Sequence, residues 1–191
     1  MVKIALILAL AGLAVYFGMV LFVAPYEFSN IRVLDPQPSV ATTISADRIH
    51  LGDSFRLTVN SENSNDVADI QIVSIEFPNM TQIGSRVEIV GYDFTQSPRY
   101  VKTGDDVGSE YSGGTKSVVA QYPSIEAYSR PVSPGAHHYL ELKITPDTLG
   151  NFTIFVKTVA IPHGNNSHYP RSGIMDHQNE YVVPISVAVS Q

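Results

Sequence analysis

Residues 54–77, SFRLTVNSENSNDVADIQIVSIEF, decide the fold. In the first part Phe55, Leu57 and Val59 alternate with Arg56, Thr58 and Asn60, the period of a strand with one face on a core and the other in water. An Asn- and Ser-rich turn follows. In ADIQIVSIEF the apolar phase shifts from Ile70 and Ile72 to Val73, Ile75 and Phe77, as a β-bulge or a strand buried on both faces requires.

The same reading extends outward in both directions. SVATTIS (39–45) precedes the turn DRIHLGD, and RVEIVGY (86–92) is a shorter strand. In HHYLELKITP (137–146) Leu140, Leu142 and Ile144 alternate with Glu141, Lys143 and Thr145. NFTIFVKTVAIP (151–162) is apolar on both faces and suits a central position. EYVVPISVAV (180–189) sets Tyr181, Val183, Ile185, Val187 and Val189 on one face and Pro184 on the other. Proline cannot donate to a ladder, so that strand belongs at an edge or carries a bulge. Seven such runs, with turn residues between them and no soluble helix, predict an all-β antiparallel sandwich over residues 39–191.

Before it, residues 4–24, IALILALAGLAVYFGMVLFVA, hold 21 residues without a charge. At 1.5 Å per residue such a run covers a hydrocarbon core of about 30 Å, which predicts a transmembrane anchor over residues 1–24. A cleaved signal usually has an apolar region of about 7–15 residues and a small-x-small site. Here Phe22 and Pro25 would flank the cut. Lys3 and the amino terminus precede the span, while Glu27, Arg32 and Asp35 after it nearly cancel. The positive-inside rule therefore sets the N-terminus in the cytoplasm and the sandwich outside, in a single pass through the cell membrane. Ala14 and Gly18 form a small-xxx-small pair at which another helix could pack. PYEFSNIRVLDPQP (25–38), with three prolines, reads as an extended spacer.

Composition narrows the function. The net charge of −6, with 12 Lys plus Arg among 191 residues and no basic stripe, excludes nucleic acid as a partner. The absence of cysteine removes disulfides, thiol nucleophiles and thiolate metal sites. No nucleophile elbow, phosphate-cradling glycine loop or apolar pair of carboxylates is present, so no catalytic residue is assigned and the chain reads as a non-enzyme. GDDVGSE, with Asp105, Asp106 and Glu110, lacks the alternating oxygen donors of a calcium loop and reads as an acidic turn.

Three groups of residues remain as candidates. His137 and His138 open one strand, and His163, His168 and His177, with Asp176 and Glu180, fall in the loop before the last strand. Strand parity brings both sets to one end of the sandwich and leaves His50 at the other. Imidazole with carboxylate and no thiolate suits copper or zinc. The spacing matches no established ligand motif, and exposed loop histidines are its ordinary explanation. The second group lies in the long connection 92–135, where Tyr92, Tyr100, Tyr111, Tyr122 and Tyr128 sit among Gly, Ser and Pro. This is either an adaptable partner-binding surface or an extra strand at SVVAQY with tyrosines packed on the sandwich. The third is a set of glycosylation sequons at Asn79, Asn151 and Asn165.

Residues 41–77, with the pattern Gly52-Asp53-Ser54-Phe55-Arg56-Leu57-Thr58-Val59, resemble the opening of bacterial and archaeal immunoglobulin-like surface domains. TLGNFTIFVKT (148–158) resembles their penultimate strand. The resemblance implies an immunoglobulin-like sandwich and says little of function. Residues 127–163 and 168–181 are similar to single-span proteins of ammonia-oxidising archaea. That likeness implies an archaeal surface protein, an accessory subunit of a copper-dependent membrane enzyme. Together these readings predict a non-catalytic, membrane-anchored interaction module with other membrane or surface proteins as partners. The alternative is a copper- or zinc-delivery protein.

Overall fold

A computed structural model of the chain describes residues 2–23, 33–107, 118–163, 167–171, 173–175 and 181–191. It divides into two units, Met1–Val33 and Leu34–Gln191. In the first, α1 spans Val2–Gly18 and passes directly into a π-helical turn, Met19–Val23. The single uninterrupted α-helix expected over 4–24 is therefore replaced by a 17-residue α-helix and a five-residue π segment. Among the described residues no helix is long and apolar enough to cross a membrane. The α-helix gives way at Gly18, the residue type that supports helix least after proline. Ala14 and Gly18 lie one turn apart, and a methyl group added at Gly18 would meet nothing within 4 Å.

The second unit is a sandwich of two sheets. The four-stranded sheet has the order β1 (Pro38–Ile44), β3 (Phe55–Asn63), β8 (Ala136–Ile144), β5 (Val87–Tyr92). The larger sheet runs β10 (Ile174–Met175), β11 (Tyr181–Ser190), β9 (Gly150–Ile161), β4 (Ile70–Glu76), β7 (Ser124–Ser129), β6 (Arg99–Val101). β2 (Arg48–His50) also belongs to it, pairing parallel with the end of β11 at Ala188–Ser190 while every other described pair is antiparallel.

All seven runs read from sequence are strands here, namely β1, β3, β4, β5, β8, β9 and β11. β4 is buried on both faces between β9 and β7, and its register is continuous on each side, so its phase shift needs no bulge. The bulge falls in β5, between Ile89 and Gly91. Among the described residues β11 is paired on its outer side only at Tyr181–Val182 and at Ala188–Ser190, so Pro184 lies on an edge there. The four strands not foreseen are short or lie in the 92–135 connection. That segment supplies β6 and β7, and the strand is Ser124–Ser129 rather than SVVAQY, whose Val119 makes only an isolated bridge to Asp106.

Facing side chains of the two sheets build the core. Phe55, Leu57, Val59, Leu140, Leu142 and Ile144 meet Val73, Ile75, Phe152, Ile154, Val156 and Val187. Each is nearly inaccessible, and a side chain so placed contributes about 1.5–3 kcal/mol through burial. Phe55 and Phe152 join the sheets edge to face, with centroids 6.3 Å apart. Towards the start of β1 the inward positions turn polar. Gln71 Nε2 donates to Ser61 Oγ (3.3 Å), the Glu62 carbonyl (3.1 Å) and Thr158 Oγ1 (3.4 Å), and the Thr158 hydroxyl donates to the Ile72 carbonyl. Beyond this layer lies a small second cluster of Ala68, Val132 and Ala160.

Candidate functional site

Strand directions fix which residues share an end. β1, β4, β8 and β11 start, and β3, β7 and β9 finish, at the end where the chain enters the domain through Leu34–Gln37. The two strands added by the 92–135 segment are an even number and preserve this alternation. His137 and His138 at the start of β8, and His163 and His168 after β9, therefore lie at this lead-in end, as parity requires. His50 lies at the far end, with Nδ1 2.7 Å from the Gln191 carbonyl oxygen.

The four imidazoles at the lead-in end do not converge on one another. Each takes a carboxylate of its own from a different segment. His137 Nδ1 is 3.9 Å from Glu62, His138 Nδ1 3.6 Å from Asp93, His163 Nδ1 2.9 Å from Asp69 and His168 Nδ1 3.2 Å from Asp35. His138 also stacks on Phe94, with centroids 5.2 Å apart. The side chains of His137 and His163 are 70% and 89% exposed, those of His138 and His168 only 16% and 24%, so two of the imidazoles stand in water and two are packed. Among the described residues no three His, Asp or Glu side chains are grouped to hold a metal ion. Asp176, His177 and Glu180 lie outside the described residues.

Asp35 is the most connected of these carboxylates. Its Oδ2 accepts from Gln37 Nε2 (3.3 Å) and Arg171 Nη2 (3.2 Å), while its backbone N–H donates to Asp66 Oδ2 (3.0 Å) and its carbonyl accepts from Asn65 Nδ2 (2.8 Å). Gln37 N–H in turn donates to Oδ1 of the buried Asn63 (3.0 Å). The last residues of the expected spacer are thus stitched to the β3–β4 turn and belong to the domain. Sequence reasoning missed Asp35, Glu62, Asp69 and Asp93, because a carboxylate partner distant along the chain leaves no local signal.

Among the described residues, the tyrosines singled out from sequence have separate partners. Tyr100, on edge strand β6, donates its hydroxyl to the Val87 carbonyl on β5 (2.8 Å), which closes one side of the sandwich. The Tyr92 hydroxyl meets Ser97 Oγ (3.0 Å), Arg130 lies over the Tyr128 ring, and Tyr122 is half-buried beside β7. Tyr111 lies outside the described residues. Between β6 and β7, Gly104, Asp105 and Val107 hydrogen-bond to Ala120 and Val118 around the isolated Asp106–Val119 bridge, forming an arm on which Val118 and Val119 are exposed. This arm leaves the sandwich at the far end. The same end carries a cleft of about 340 Å³ lined by Arg48, Ile49, His50, Asp53, Ser54 and Ser190. Asn79 and Asn151 are exposed there, and Asn79 Oδ1 accepts from the Thr153 N–H of the neighbouring sequon (2.8 Å). Asn165 lies outside the described residues.

No family model matches the chain, and no curated protein matches it. Among solved structures it is similar to the C-terminal domain of the antigen I/II-family protein AspA of Streptococcus pyogenes, at 11% identity and a TM-score of 0.47, over 84% of this chain and 53% of that one. The CARDB domain of the PF1109 protein from Pyrococcus furiosus, solved in complex with di-metal ions, is similar at 12% identity and a TM-score of 0.41, over 83% and 94% of the two chains. An uncharacterised Nocardia farcinica protein with an immunoglobulin-like fold gives 12% and 0.42, over 78% and 97%. Likeness at this level assigns neither a family nor a function.

Proposed function

We propose that the protein is a non-catalytic interaction module, held to the cell membrane by its N-terminal segment and presenting its β-sandwich on the extracytoplasmic side. The observation that carries this reading is a helix apolar on every described side in a chain whose remainder is a self-contained sandwich. Leu10, Leu13, Val15, Phe17 and Leu21 are all exposed on the helix, a pattern that suits lipid rather than water. The 17 α-helical residues rise about 25 Å and the π segment follows without a break, which together approach the thickness of a hydrocarbon core. The charge bias around the span supports an outward-facing domain. The arm with Val118 and Val119 offers a surface for a protein partner. In its narrower form, supported by the resemblance of residues 127–163 and 168–181, the protein is an accessory subunit of a copper-dependent membrane enzyme.

Fractionation of native cells followed by affinity purification in mild detergent tests this reading. The protein should stay with membranes through an alkaline carbonate wash and bring down a stoichiometric membrane or surface protein. Release into the wash would refute the anchor, and recovery of the protein alone would refute the subunit role.

A further inference from the structure

The lead-in and the loop that follows β9 are far apart in the chain and meet on one side chain. Asp35 holds the lead-in to the β3–β4 turn through its backbone, and holds the loop through its carboxylate, with Oδ1 3.2 Å from His168 Nδ1 and Oδ2 3.2 Å from Arg171 Nη2. Each segment also has attachments the other does not share. The lead-in has Gln37 N–H on Asn63 Oδ1 and Ser64 N–H on the Gln37 carbonyl, with Pro36 and Pro38 restricting its backbone. The loop has reciprocal backbone hydrogen bonds between His168 and Ala160 on β9, at 2.8 and 2.9 Å.

We infer that Asp35 is a coupling clasp, through which the lead-in Leu34–Gln37 and the loop residues Ser167–Arg171 loosen and tighten together. A displacement of the lead-in at Asp35 is then passed to the loop residues around His168. The inference stands whether or not the N-terminal segment lies in a bilayer. Coupling of this kind is reciprocal, because each segment changes the free energy of the other by the same amount. That reciprocity separates a clasp from two independent attachments that happen to be neighbours.

Amide hydrogen exchange on the full-length chain tests it. His168→Ala with Arg171→Ala leaves untouched the partners of the Asp35 and Gln37 amides, which are Asp66 Oδ2 and Asn63 Oδ1. A clasp predicts that both amides nevertheless exchange about two- to fivefold faster, the range given by partly exposed charge pairs. In the other direction, Asp35→Ala should speed exchange of the His168 amide by the same factor although its acceptor, the Ala160 carbonyl, is intact. The amides of Val73 and Leu142, in the centres of their strands, report global opening and should not change. Unchanged rates at the remote amides, or an effect in one direction only, would overturn the inference. If Asp35→Ala also accelerates Val73 and Leu142, the loop-side double variant decides alone.

Discussion

Asn63→Ala is the substitution that most directly probes how the lead-in end is built. Asn63 ends β3 facing inward, fully buried, where Phe55, Leu57 and Val59 earlier in the strand face the apolar core. Its Oδ1 accepts from Gln37 N–H at 3.0 Å and its Nδ2 donates to the Asp66 carbonyl at 2.6 Å, so one amide spans the lead-in and the β3–β4 turn. Alanine removes both bonds. At about 1–1.5 kcal/mol for each hydrogen bond lost from a buried amide, the cost is about 2–3 kcal/mol. For a domain of this size that is a fall in Tm of about 4–12 °C. Urea denaturation of the Leu34–Gln191 unit, followed by tryptophan-free far-UV circular dichroism, gives the number. Asn63→Asp sharpens the test, because it keeps an acceptor for Gln37 N–H but sets a carboxylate oxygen against the Asp66 carbonyl. It should destabilise at least as much as alanine, despite its closer shape. The reasoning would be refuted if Asn63→Ala stayed within about 0.5 kcal/mol of the parent, or if Asn63→Asp were the milder change.

Three further outcomes follow from the fold. Tyr100→Phe removes the hydroxyl that joins β6 to the Val87 carbonyl and should cost about 1 kcal/mol by the same denaturation, with no effect if that edge is held by packing alone. Gly150 opens β9 at φ +105°, so Gly150→Ala should cost about 1–3 kcal/mol through backbone strain although a methyl group there meets no atom within 4 Å. Gly84→Ala, equally open and without a positive φ, is the control that should change little. Under the proposed anchoring, a bulky thiol-directed label on intact cells should react slowly at Ser167→Cys, at the lead-in end, and quickly at Asp53→Cys, at the far end; equal or inverted rates would reject that orientation.

The main strands were legible because their inward positions are apolar and their outward positions polar. Phe55, Leu57 and Val59 on β3 and Leu140, Leu142 and Ile144 on β8 carry that signal almost alone. β7 escaped because its buried positions include Ser124, Glu126 and Ser129, with Glu126 satisfied by Arg99 across the strand pair at 3.1 Å. Polar residues buried by pairing erase the alternation that a sequence pattern needs. The valines of SVVAQY suggested a strand there instead, yet Val118 and Val119 project on the arm and are exposed. Propensity lost to topology at that point. At the site, parity gathers five histidines at one end, and the four of them that are described lie there, but parity is a statement about backbone direction. It cannot say that Asp35, Glu62, Asp69 and Asp93 arrive from four other segments and take one imidazole each.

That division of partners bears on what the lead-in end can do. A metal centre needs several donors directed at one point, and such donors leave their mutual space open. Here the described imidazoles each face a carboxylate from another segment: His137 on β8 faces Glu62 on β3, His138 faces Asp93 after β5, His163 faces Asp69 before β4, and His168 faces Asp35 in the lead-in. Among these residues the side chains that composition suggested for ligation are distributed one imidazole to one carboxylate. The sequons Asn79 and Asn151 and the exposed Val118 and Val119 lie at the other end. Antiparallel strands alternate in direction, so features separated by an even number of strands return to the same end. The chain has thus set four histidine–carboxylate pairs at one set of turns and the His50 cleft and the sequons Asn79 and Asn151 at the other.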